Sequence, residues 1–114
     1  MSEQKIYGLI GKKLGHSFSK GHFTAKFERL GVNAAYQNFE LAEINKISEV
    51  FTTEGLSGLN VTIPYKEAVL PYLDELSEVA QSIGAVNTIQ FKDGKKIGHN
   101  TDAFGFKQMI KPFF

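Results

Sequence analysis

The strongest constraint in this sequence is a change of hydrophobic period along its first forty residues. Lys5-Ile-Tyr-Gly-Leu-Ile-Gly11 is a short continuous apolar run, as a buried strand requires, and Phe23, Phe27 and Leu30 follow it at helical spacing. Ser17 and Ser19 are residue types that cap a helix N-terminus, and Gly31 is placed to end that helix. Ala35-Tyr-Gln-Asn-Phe-Glu-Leu41 then alternates as a second strand, and Ile44, Ile47 and Val50 put one apolar stripe on the next helix. This β-α-β-α order predicts an α/β fold.

The second half extends the pattern. Gly58-Leu-Asn-Val-Thr-Ile63 reads as a third strand stopped by Pro64, and Pro64 also suits the first position of a helix, so a short helix is expected from about Tyr65. Leu73, Leu76, Ala80 and Ile83 keep helical spacing as far as Gly84. Ala85–Phe91 and Lys95–His99 flank Asp93-Gly94, a favoured tight-turn pair, and predict an antiparallel hairpin. Asn100 or Thr101 can cap a last helix carrying Phe104, Met109 and Ile110. The expected architecture is a mixed, mainly parallel open sheet of about five to six strands, flanked by helices, with the hairpin near its C-terminal end.

Composition narrows the class. The 114 residues suit one domain, and 42% hydrophobic residues are enough to build a core. Thirteen Lys+Arg against twelve Asp+Glu give a net charge of +1, which provides no field to attract a polyanion, so nucleic acid is not an expected partner. Without cysteine, disulfides and thiolate zinc sites are excluded and a reducing compartment is implied. The apolar run Ile6 to Ile10 is too short for a signal or membrane segment, so a cytoplasmic protein with no membrane partner is expected. The ending Lys111-Pro-Phe-Phe114 reads as cut, because aromatic side chains normally bury against a neighbour.

Four polar clusters fall at strand ends or helix starts: His16-Ser-Phe-Ser19, Asn60-Val-Thr-Ile-Pro-Tyr-Lys66, Gly84-Ala-Val-Asn-Thr88 and Gly98-His-Asn-Thr-Asp102. Ligands of open α/β sheets lie beyond the carboxyl ends of the strands, so one crevice can gather all four. Lys66, in the first turn of its expected helix, would meet the positive end of the helix dipole, which suits a lysine that exchanges a proton. Asp102, at the start of the last helix, would stay ionised and could pair with Lys66. The plainer alternatives are a solvated surface lysine and an aspartate serving only its helix. Ser17 and Ser19 could hold a carboxylate or simply cap, and Asn60, Thr62 and Asn87 offer neutral groups suited to sugar-like hydroxyls but are common without any ligand.

Other motifs fail. Gly-x-Gly-x-x-Gly and P-loop strings are absent, and His16, His22 and His99 lack metal-ligand spacing, so no metal is expected. Asn60-Val-Thr62 matches a glycosylation acceptor but lies in an expected buried strand.

The order His-Ser-x-Ser, Asn-Val-Thr-Ile-Pro-x-Lys, Gly-Ala-Val-Asn-Thr and Asn-Thr-Asp-x-x-Gly resembles the N-terminal substrate-binding domain of the shikimate dehydrogenase family, over almost the whole chain. The resemblance implies reduction of 3-dehydroshikimate to shikimate with NADPH, on the way to chorismate and the aromatic amino acids. It implies that Ser17 and Ser19 hold the substrate carboxylate, that Asn60, Thr62, Asn87 and Asp102 contact ring hydroxyls, and that Lys66 and Asp102 are the catalytic pair. Lys66 would supply a proton to the alkoxide that forms as hydride reaches the C3 carbonyl.

Two departures accompany it. Lys13 and Lys20 stand where the family often has proline. The resemblance implies an NADP-binding Rossmann domain that is not expected within residues 1–114, which are therefore expected to be inactive alone and to leave apolar surface that favours a homodimer. The alternative is a stand-alone, non-catalytic module that binds a shikimate- or quinate-like hydroxylated carboxylate.

Overall fold

The computed structural model describes residues 4–15 and 19–101, with the side chain of Ser19 outside the description. Ser17, Asp102 and the expected last helix therefore lie outside the described residues.

The elements are β1 (Lys5–Gly11), α1 (Ser19–Leu30), β2 (Ala34–Glu40), a 3₁₀ turn at Ile44–Lys46 leading into α2 (Ile47–Val50), β3 (Leu56–Val61), a 3₁₀ turn at Leu70–Tyr72, β4 (Glu75–Leu76), α3 (Glu78–Ile83), β5 (Thr88–Lys92) and β6 (Lys95–His99). The strands form one sheet in the order β2-β1-β3-β5-β6-β4. β1 runs parallel to β2 and β3, and β4 parallel to β6, while β5 is antiparallel to both β3 and β6. Every strand except β5 thus points the same way, which is the mixed, mainly parallel sheet expected from the sequence.

Alternation along the strands divides the core into two layers. Tyr7 and Leu9 of β1 pack with Phe23 and Phe27 of α1 and with Tyr36 of β2 on one face. On the other face Ile10, Leu59, Val61 and Ile89 pack beneath Ile47, Val50, Val69 and Ala80. Of the apolar stripe on α1, Leu30 is exposed, because the helix ends there: Val32 N–H reaches the Phe27 carbonyl and Gly31 N–H the Glu28 carbonyl, both at 3.2 Å. Gly31 adopts φ 69° in this left-handed stop, and Val32 packs on the Phe27 cluster in place of Leu30. The hairpin turn also follows its sequence signal, with Asp93 at φ 52° and Gly94 at φ 77°.

Two expected helices differ. No helix begins at Tyr65: Val69 N–H closes one turn onto the Tyr65 carbonyl at 3.0 Å, and Leu70 N–H then tightens onto Glu67 at 3.1 Å. Pro71, without an N–H, cannot bond the Glu67 carbonyl and so prevents an α-helix from continuing. The apolar spacing from Leu73 to Ile83 is not one helix either. Asp74 and Ser77 donate their N–H groups to the Lys96 and Gly98 carbonyls of β6, at 2.8 and 2.9 Å, which holds β4 extended. α3 starts only after Ser77, whose hydroxyl accepts the Ala80 N–H at 3.1 Å as an N-cap, and it stops at Gly84, φ 77°. The stretch from Ala85 to Asn87, expected as strand, is a loop preceding β5.

Candidate active site at the carboxyl ends of the strands

The chain leaves β1 for β2 across one face of the sheet and leaves β2 for β3 across the other, so the crevice between the ends of β1 and β3 is the point where connections diverge. Gly11 ends β1 there and Thr62 follows β3, with Thr62 N–H donating to the Ile10 carbonyl at 2.9 Å. A Cβ at Gly11 would stand 2.6 Å from the Thr62 methyl group and 2.6 Å from Leu14. Absence of a side chain at position 11 is what lets the two strand ends close.

From Thr62 the site is built by main-chain bonds. Tyr65 N–H returns to the Thr62 carbonyl at 3.0 Å, and the Tyr65 hydroxyl donates to the buried Leu41 carbonyl at 2.5 Å. This anchors the residue before Lys66. The Lys66 carbonyl accepts the Val86 N–H at 2.8 Å, and the Asn87 carbonyl accepts the Val61 N–H, also at 2.8 Å. Lys66, Thr62 and Asn87 are each half-buried at this end of the sheet. With no helix at Tyr65, no helix dipole acts on Lys66, and its location is set by the turn and the Val86 bond alone.

Asn87 is tied to the segment that follows β6. Its Oδ1 accepts the Thr101 N–H at 2.9 Å and its Nδ2 donates to the Thr101 carbonyl. Asn87 N–H bonds the His99 carbonyl at 3.0 Å, and Asn100 Nδ2 reaches the Ala85 carbonyl at 3.1 Å. Thr88, 1% exposed, donates from its hydroxyl to Asn87 Oδ1 at 3.0 Å and lies 3.3 Å from the Thr101 hydroxyl. Thus the Lys66 turn, the Asn87 loop and Thr101 form one bonded unit. Sequence reasoning does not single out Thr88 and Thr101 as site residues, although both sit inside the motif strings and next to residues that it does select.

The Asn60 side chain is bonded elsewhere. It lies on the face covered by α1, where its Nδ2 donates to the Tyr36 hydroxyl at 2.8 Å. Its register partner across the β3–β5 pairing is Thr88. Ser19 opens α1, and Ser17 and Asp102 lie outside the described residues, so the expected pairing of Lys66 with Asp102 is carried by sequence alone. His99 Nε2 bonds Gln90 Oε1 at 2.9 Å, and burial holds its imidazole below the usual histidine pKa. It acts as a structural residue of the hairpin. No described helix is long and apolar enough to cross a membrane.

Residues 9–89 match the model of the shikimate dehydrogenase substrate binding domain. The chain belongs to this family. Shikimate dehydrogenase (NADP(+)) from Pyrococcus abyssi is 46% identical over 109 residues, which are 96% of this chain and 41% of that protein. The crystal structure of shikimate dehydrogenase 1 from Peptoclostridium difficile matches with a TM-score of 0.79 at 43% identity, covering 95% of this chain and 41% of that one. Shikimate 5-dehydrogenase from Thermus thermophilus, solved in complex with NADP(H) and shikimate, matches with a TM-score of 0.76 at 35% identity, covering 95% of this chain and 42% of that one. The chain spans about two fifths of the length of these relatives, as their substrate-binding domain.

Proposed function

We propose that this chain is the substrate-binding part of a cytoplasmic, NADP-dependent shikimate dehydrogenase that reduces 3-dehydroshikimate to shikimate on the way to chorismate. The observation that carries the reading is the bonded unit of the Lys66 turn, the Asn87 loop and Thr101 at the carboxyl end of the parallel strands. In this reading the Lys66 ammonium gives its proton to the oxygen that becomes the new hydroxyl, and its positive charge stabilises that oxygen as it turns anionic. Asp102 orients Lys66 and a ring hydroxyl, Thr62, Asn60 and Asn87 bind hydroxyls, and Ser17 and Ser19 hold the carboxylate.

The cofactor named for the relatives would, in its reduced form, supply the hydride. The first strand-turn-helix unit of this chain does not fit its phosphates. Glu40 Oε1 already accepts the Leu14 N–H of that turn at 2.7 Å, so this donor is taken by a carboxylate, and no Gly-x-Gly-x-x-Gly string is present. The contribution of these residues is substrate placement and the proton.

Titration of the 114-residue chain with shikimate, followed by NMR, tests the reading. Resonances of Thr62, Lys66, Asn87 and Thr101 are expected to shift together, with no turnover on adding NADP+. A chain that binds no shikimate overturns the proposal. Fusion to the remaining part of the Pyrococcus abyssi relative is expected to give NADP+-dependent oxidation of shikimate.

A further inference from the structure

Thr88 and Thr101 are bonded to Asn87 or to each other, and the function proposed above gives neither a contact with substrate. Thr101 presents a main-chain N–H, which can only donate, to Asn87 Oδ1, and a carbonyl, which can only accept, to Asn87 Nδ2. The orientation of the Asn87 carboxamide is therefore fixed by main chain and cannot flip without breaking both bonds. The Thr88 hydroxyl donates its one proton to the same Oδ1 at 3.0 Å. With that proton committed, the 3.3 Å contact between the two threonine hydroxyls runs from Thr101 to Thr88. Donation thus runs in one direction, from Thr101 Oγ1 to Thr88 Oγ1 to Asn87 Oδ1. Both lone-pair positions of Oδ1 are filled, and among the described residues one Asn87 N–H is left to offer.

We propose that Thr88 is a positioning residue for substrate binding: together with Thr101 it saturates Asn87 Oδ1, so that Asn87 presents a ligand with a single N–H donor and no acceptor. The inference rests on the function proposed above and adds a specificity to it. The ligand group beside Asn87 must accept a hydrogen bond, as a hydroxyl or carbonyl oxygen does and an ammonium does not. Thr88 is 1% exposed and cannot itself serve as the contact, which separates its role from that of Asn87. Removing its hydroxyl would take one of the two donors from Asn87 Oδ1 and loosen the carboxamide.

The test compares the 114-residue chain with Thr88→Val, Thr88→Ser and Thr101→Val, by NMR of the Asn87 side-chain NH₂ pair and by shikimate titration. Thr88→Val is expected to move the Asn87 pair before any ligand is added and to weaken shikimate binding about tenfold, the loss typical of one hydrogen bond. Thr88→Ser restores both. Thr101→Val, which keeps the main-chain bonds, moves the same pair and weakens binding less; it decides the matter if Thr88→Val does not fold, and an unmoved Asn87 pair in it overturns the inference. Parent-like affinity in a folded Thr88→Val, or a Thr88→Ser as weak as the valine variant, also overturns it. A parent chain that fails to bind shikimate while its Asn87 pair responds to these substitutions marks failure of the proposed function instead.

Discussion

The main-chain carbonyl of Lys66 accepts the N–H of Val86 at 2.8 Å, so the lysine turn is fastened to the loop that carries Asn87 by an atom common to every residue type. A substitution at position 66 changes the side chain and leaves this fastening in place. Lys66→Ala in the fused, cofactor-bearing enzyme is therefore expected to lower kcat by about 10²–10⁴, the usual contribution of a positioned proton donor, with a smaller change in KM. Steady-state kinetics with shikimate and NADP+ checks this, and an unchanged kcat would remove Lys66 from the proposed chemistry.

Gly11 closes the crevice by having no side chain. Gly11→Ala would push a methyl group against Leu14 and Thr62 at 2.6 Å, and the expected cost is about 1–3 kcal/mol of stability, as for overpacked cores. Binding of shikimate should weaken along with it, because Thr62 must move. Urea unfolding and NMR titration measure the two effects, and the account fails if both are unaffected.

Tyr65 places its hydroxyl against a buried carbonyl, that of Leu41. Tyr65→Phe leaves this acceptor without its donor and is expected to cost about 1–3 kcal/mol, read as a lower urea midpoint at unchanged slope.

His99 gives a pH dependence of defined sign. Burial lowers its pKa in the folded chain below the unfolded value of about 6.5, so the folded state favours neutral imidazole. Its contribution to stability is present above the unfolded pKa and is lost as pH falls through the folded pKa. Asp74, held below the ordinary carboxylate pKa chiefly by the Lys96 N–H, loses its contribution only at more acidic pH. Urea midpoints should thus begin to fall just below about pH 6.5, and His99→Gln should remove that first decline while leaving the acid one; persistence of the first decline in the variant would assign it to another group.

Local signals determined much of this protein from sequence alone. Lys5–Gly11 is a strand because its apolar run is continuous; α1 ends where Gly31 allows a left-handed stop; and Asp93-Gly94 turns the hairpin, since both residues tolerate positive φ. Those features depend on near neighbours in the chain, as does the string of motifs that carries the family resemblance. Tertiary structure decided the rest. Leu73 to Leu76 have helical spacing yet lie extended, because Lys96 and Gly98 of β6 supply main-chain acceptors that no local pattern reveals. Thr88 and Thr101 became part of the candidate site only when the sheet order brought β5 and the end of β6 together, 13 residues apart in sequence. Hydrogen-bond partners of that kind are chosen by where the backbone passes, and a linear sequence does not state where the backbone passes.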